Sequence, residues 1–182
     1  MNKLYINLKR VHSVKLSGVA LALFLLFAMI ALSYVLFHNP HQDLHKQIFK
    51  TADNIRNYYR DQPSYWKLST ETAQNDNLIT DELLKHKEFV LKIGQGPNGD
   101  VSMPNDSSFD IVLANLSKSA CINLSEFSVD KSQQLGLQKI TLINDESLTE
   151  FDWGGDNPLP IRRYATRNLC QPTGNAVIWT FR

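Results

Sequence analysis

The chain has 182 residues, 19 Lys and Arg, 18 Asp and Glu, two Cys and a formal charge of +1. That near-neutral total conceals a basic head of Lys3, Lys9, Arg10 and Lys15 with no acid before residue 41, and a body with 15 basic and 18 acidic residues. No basic stripe runs through the body, which excludes the electrostatic footprint of a nucleic-acid binder.

Residues 1–18 form a basic leader. Val19 to Phe37 is then an apolar run without charge, in which Ser33 and Tyr34 are the only polar residues. At about 1.5 Å per helical residue it spans about 28 Å, close to the hydrocarbon thickness of a bilayer. A secretory h-region is shorter and ends in small residues, whereas this run ends in Phe37-His38-Asn39-Pro40. The pattern predicts a retained transmembrane helix over 19–37. Its basic flank places the N-terminus in the cytoplasm and the body across the membrane.

Beyond Pro40, where a kink or short break is expected, Leu44, Ile48, Ala52, Ile55 and Tyr59 recur at helical spacing. They predict an amphipathic helix over 41–61 that packs by one face onto an exported globular domain over 62–182. Asp61-Gln62-Pro63-Ser64 ends it. Ser69 to Asn77 reads as loop, and Thr80 opens a short helix with Leu83 and Leu84 inward. Glu88 to Ile93, Val101 to Met103 and Phe109 to Leu113 read as strands. They are separated by the turns Gly94–Gly99 and Pro104–Ser108. Ser117 caps a helix to Ser125 that turns Ala120, Cys121 and Leu124 inward. Leu137 to Ile143 is a strand, Asn144 to Pro160 a long irregular segment, and Ala176 to Phe181 the final strand. Early helices and later strands give an α+β fold with an antiparallel sheet.

Cys121 and Cys170 both fall in the exported part, where thiols oxidise. One pairing is possible within the chain, closing a loop of about 50 residues; two buried free thiols are the other reading. His38, His41 and His45 cluster near the end of the apolar run, but no acid or cysteine completes a metal set, since Asp43 points elsewhere on a helix. The run Gly94-Gln-Gly-Pro-Asn-Gly99 lacks the Lys-Ser/Thr of a phosphate loop and leads into a strand, so it reads as a hairpin turn. Asp152, Trp153 and Asp156 form a candidate contact loop whose acid spacing fits no EF-hand. All five histidines lie between His12 and His86 and none has a marked nucleophile beside it, so no Ser-His-Asp or Cys-His arrangement can be argued, and Asn105, Asn115 and Asn123 begin formal glycosylation triplets. No catalytic residue, metal or cofactor is expected.

A basic leader, a glycine, a membrane-length apolar helix, an amphipathic extension and a two-cysteine α+β domain together resemble a type IV pilin, most closely the type IVb class. The residues Phe109-Asp-Ile-Val-Leu-Ala-Asn-Leu-Ser-Lys-Ser-Ala-Cys121-Ile-Asn-Leu are similar to the strand and Ala-Cys-x-x-Leu helix that open the disulfide-bounded region of that class. Cys170 and Asn175-Ala-Val-Ile-Trp-Thr-Phe181 resemble its closing cysteine and last strand, and Gly94 to Val101 its glycine-rich turn.

The resemblance implies prepilin peptidase cleavage after Gly18, leaving Val19 as the new N-terminus. It also implies partners among other pilins and the inner-membrane pilus assembly proteins. Five residues past the cut, pilins carry a glutamate thought to pair with a neighbouring subunit's amine; here the position is Leu23, and the span has no acid. A carboxylate in hydrocarbon is costly and usually functional, so its absence implies a minor subunit at or near a fibre tip. The other reading is a permanent single-pass inner-membrane protein with a periplasmic binding domain.

Overall fold

A computed structural model describes residues 20, 21, 23–30, 40–94, 105–126 and 135–182. The chain divides between Pro40 and His41 into two units. In the first, residues 20–21 and 23–30 are helical. Leu21, Leu23, Phe24, Leu25, Leu26, Phe27, Met29 and Ile30 are all exposed. Among the described residues no helix is long and apolar enough to cross a membrane. Much of the predicted span, including Val19 and residues 31–37, lies outside them, as does any kink before Pro40.

The second unit is α+β. Helix α1 (Pro40–Tyr59) begins with proline, whose fixed φ suits a first helical turn and whose missing N–H has no intrahelical role there. Its Leu44, Ile48, Ala52, Ile55 and Tyr59 are all buried, so the predicted stripe is the packing face. Two short helices follow, α2 (Thr70–Asn75) and α3 (Asp81–Leu84). The segment 69–77 is therefore not all loop. Ser69 and Thr72 form a capping box, with Thr72 N–H donating to Ser69 Oγ at 3.1 Å and Ser69 N–H to Thr72 Oγ1 at 2.9 Å. Threonine takes the place of the usual Glu or Gln of that motif. At α3, Thr80 holds the N-cap position but makes no side-chain cap bond; Leu83 is fully buried, and Leu84 only half so.

One five-stranded sheet comprises β1 (Phe89–Gly94), β2 (Asn105–Leu116), β3 (Leu137–Ile143), β4 (Leu148–Asp152) and β5 (Asn175–Phe181). The order is β1-β2-β5-β3-β4, and every pairing is antiparallel. Two helices complete the unit, α4 (Lys118–Ser125) between β2 and β3, and α5 (Arg163–Leu169) between β4 and β5.

Three sequence readings change here. Asn105 to Ser108 belong to β2 rather than to a turn, because Asn105 pairs with Gly94 across a bulge. Gly94 is required there, since a Cβ would collide with Ser108 Oγ. Within the segment read as irregular, Leu148–Asp152 is an edge strand on β3. Of that strand only Phe151 is buried, so the hydrophobic alternation that marks a strand is too thin to register. Helix α5 is a further element, and Thr166 is its only buried residue. The predicted strand Val101 to Met103 and most of the turn Gly94–Gly99 lie outside the described residues.

Register fixes the two faces. Ile111 opposes Leu91 and Trp179, and Trp179 in turn opposes Ile140. With Phe89, Phe109, Leu113, Leu142, Phe151, Val177 and Phe181 these residues form one buried face that joins the stripe of α1 in a single core. Phe181 meets Phe49 of α1 edge-on at 6.2 Å between ring centroids and stacks on Phe109 at 5.5 Å. The opposite face carries Lys92, Asp110, Thr141, Ile178, Thr180, Lys139 and Glu150. There Thr180 Oγ1 donates to the buried Asp110 Oδ1 at 2.7 Å, and Lys139 pairs with Glu150 at 2.6 Å.

Candidate functional site

The region bounded by the cysteines is built around a disulfide. Cys121 sits on the inner side of α4 and Cys170 caps the end of α5, with Cα atoms 5.9 Å apart and a Cys121–Cys170 bond between them. Ser117, exposed before α4, accepts from Ala120 N–H at 3.3 Å and starts the helix as its sequence predicts. Ala120 is half-buried, while Cys121 and Leu124 face the core.

Polar braces hold the same region. Arg163 on α5 meets Glu126 at the end of α4, Nε to Oε1 3.1 Å. Asn175 is fully buried; its Nδ2 donates to the carbonyls of Leu116 and Gln171, both at 2.8 Å, and its Oδ1 accepts from Gln171 N–H at 2.7 Å. Asn144 Nδ2 donates to Leu169 O at 2.7 Å. These three bracing groups were not singled out from the sequence. A lone asparagine beside a strand carries no local signature, and only the fold places it against free carbonyls.

The predicted contact loop separates into different roles. Asp152 ends β4 and turns its carboxylate onto the N–H groups of Gly154, at 2.9 Å, and of Gly155. Its backbone bonds to Asn157 O and Leu159 N hold the following segment against the strand. Trp153 is half-buried against the core and donates Nε1–H to Leu137 O at 2.6 Å. Asp156 is exposed and lines a cavity of about 300 Å³ with Phe151, Asn157, Pro158, Arg162, Tyr164 and Ala165. Asp152 and Trp153 thus shape the loop, and Asp156 is the member left facing solvent.

Gly18 and Val19 lie outside the described residues. Leu23 is helical and exposed. His45 is bonded through Nε2 to Asn123 O at 3.0 Å and packs edge-on against Phe49, which ties α1 to α4. His38 and the side chain of His41 lie outside the described residues. Among those described, no three His, Cys, Asp or Glu residues come together as a metal-binding group.

Aromatic rings line the far end of α1. Tyr59, Tyr65 and Phe109 follow one another at 5.2 and 5.0 Å between centroids. Burial pushes the Tyr65 hydroxyl above its ordinary pKa, and Arg56, hydrogen-bonded to it, pulls partly the other way. Burial likewise raises Tyr59, with Tyr58 and Asp76 adding to the effect.

No protein-family model matches the chain, and no curated protein is significantly similar to it. Among solved structures it is similar to TcpA, a type IV pilin from Vibrio cholerae El Tor biotype. The likeness covers 76% of this chain and 98% of that one, at 11% identity and a TM-score of 0.47.

Proposed function

We propose that this chain is a minor pilin or pilin-like subunit of a type IVb pilus system, held in the bacterial inner membrane by 19–37 and incorporated at or near the fibre tip. The observation that carries the reading is the Cys121–Cys170 disulfide joining α4 to the segment before β5. It closes the region whose flanking residues resemble that class. A second support comes from residues 23–27, five consecutive exposed apolar side chains in a helix. Such a helix is apolar all round, which suits lipid or other helices rather than water. Leu23 in place of an acid argues against a bulk subunit.

Assembly on this reading is packing of apolar helices, with the exported domain making lateral or adhesive contacts. The chain needs no catalytic group for it. The runner-up is a permanent inner-membrane anchor whose periplasmic domain binds an envelope partner. It shares the apolar helix but predicts neither cleavage nor polymerisation.

Cross-linking in intact cells, followed by purification of the adducts, tests the tip assignment. Adducts with other pilins are expected; recovery of envelope proteins without any pilin would overturn it.

A further inference from the structure

At the end of α1 a cavity of about 490 Å³ is lined by Asp53, Arg56, Asn57, Tyr59, Arg60, Gln62, Pro63, Ser64, Tyr65, Ser107 and Arg182. Its volume lies within the range of about 300–1,000 Å³ typical of small-molecule sites. Three guanidinium groups and one side-chain carboxylate belong to this lining, although the domain from residue 41 onward carries more acids than bases. The fold makes that concentration of charge. Arg56 lies in the last turn of α1 and Arg60 in the turn that follows it, and the end of β5 brings Arg182 to the same place.

Helix chemistry accounts for part of it. Arg56 in the last turn of α1 complements the negative end of its dipole, but that does not explain Arg182, which comes from another element. The position of Arg182 is fixed by its N–H bond to Gly136 O at 2.9 Å. Gly136 has φ of +70°, and a Cβ there would collide with Arg182 O and crowd the Arg56 guanidinium carbon at 3.3 Å. Glycine at this turn therefore lets the C-terminal strand and the Arg56 head group close on one another. Around them Asn57, Gln62, Ser64, Ser107 and Tyr65 supply polar groups, and the tyrosine rings form an apolar wall.

We infer that this cavity binds a multiply charged oxyanion, a small molecule bearing carboxylate or phosphate groups. Guanidinium forks match both oxyanions in bidentate geometry, and a cleft lined mainly by one sign of charge concentrates the opposite ion. Arg60 and Arg182 are the exposed ligand-facing pair. Arg56 is engaged with Tyr65 and sets the position of that hydroxyl. The inference stands independently of the pilin reading.

The test is a titration of the full chain in detergent micelles at fixed ionic strength, following arginine Nε–H signals by NMR. Citrate and pyrophosphate serve as probes, with glucose as the neutral control. Saturable shifts at Arg60 and Arg182 are expected with at least one anion and none with glucose; saturation by citrate or pyrophosphate alone identifies which oxyanion is preferred. Arg60→Gln combined with Arg182→Gln is expected to weaken binding by about tenfold or more, the effect of losing charge-assisted hydrogen bonds. Arg60→Gln alone, at an exposed site bonded to Asn57, is expected to weaken it measurably while leaving backbone signals away from the cavity in place. Linear shifts with both anions, saturation by glucose alone, or unchanged affinity in the variants would overturn the inference.

Discussion

Trp179 is fully buried at the centre of the sheet, yet its Nε1–H has no hydrogen-bond partner among the described residues. Its contribution to stability therefore rests on packing, and phenylalanine keeps most of that without burying an unpaired donor. Trp179→Phe is expected to cost clearly less than Trp179→Ala, for which about 3–5 kcal/mol is typical of a buried aromatic; paired urea melts measure the difference. The tyrosines give a pH signature. Because burial raises Tyr65 and Tyr59 in the folded chain, the folded state holds protons that the unfolded state releases above about pH 10. Their contribution is complete below the unfolded value and lost as pH rises toward the folded one. Thermal melts from pH 8 to 11 should show falling stability above pH 10, with a shallower fall in Tyr65→Phe; identical slopes would remove Tyr65 from the explanation. At this scale the sequence was legible for Ser117, whose capping bond is local, and for Cys121 and Cys170, because two cysteines allow one pairing within the chain. It was silent on Asn175, Asn144 and Arg163, because a bracing polar side chain carries no mark of its partner in the sequence.

Among the elements, α1 was the most legible, because five apolar residues at helical spacing left one consistent face and all five are buried. Ile55, with no exposed surface, belongs to the core that α1 shares with the sheet. Ile55→Ala is expected to destabilise the domain by about 2–5 kcal/mol, read from the urea midpoint at unchanged slope. An effect below about 1 kcal/mol would mean that α1 is not packed as described. The short elements were less legible. A capping box with threonine in its third helical place hid α2, and β4 and α5 each bury a single side chain. Their positions come from neighbours: β4 from the hydrogen-bonding edge of β3, α5 from the disulfide and the Arg163–Glu126 pair. The β1 edge of the sheet is partly covered. Thr70 Oγ1 accepts from Leu91 N–H at 2.8 Å and donates to Leu91 O at 3.2 Å, so a side chain occupies the backbone groups that an edge strand would otherwise present.

For the whole molecule, the α+β class and the antiparallel sheet follow from the order of periodicities along the chain. The strand order β1-β2-β5-β3-β4 does not, since it depends on the C-terminal strand inserting between two earlier ones. The disulfide is the covalent tie across that arrangement, its cysteines 49 positions apart in sequence. Its removal by Cys121→Ser is expected to cost about 2–4 kcal/mol and to lower the steady-state level of the protein in the cell, as immunoblotting would show; unchanged levels would deny it a structural role. The pilin-like reading rests on this frame together with the apolar run, and it differs from the permanent-anchor reading in predicting cleavage of the leader. The intact mass of the protein purified from its native cells tests it most directly. The account predicts loss of residues 1–18 and an N-methylated Val19 at the new terminus; a chain that still carries its leader from Met1 would contradict it.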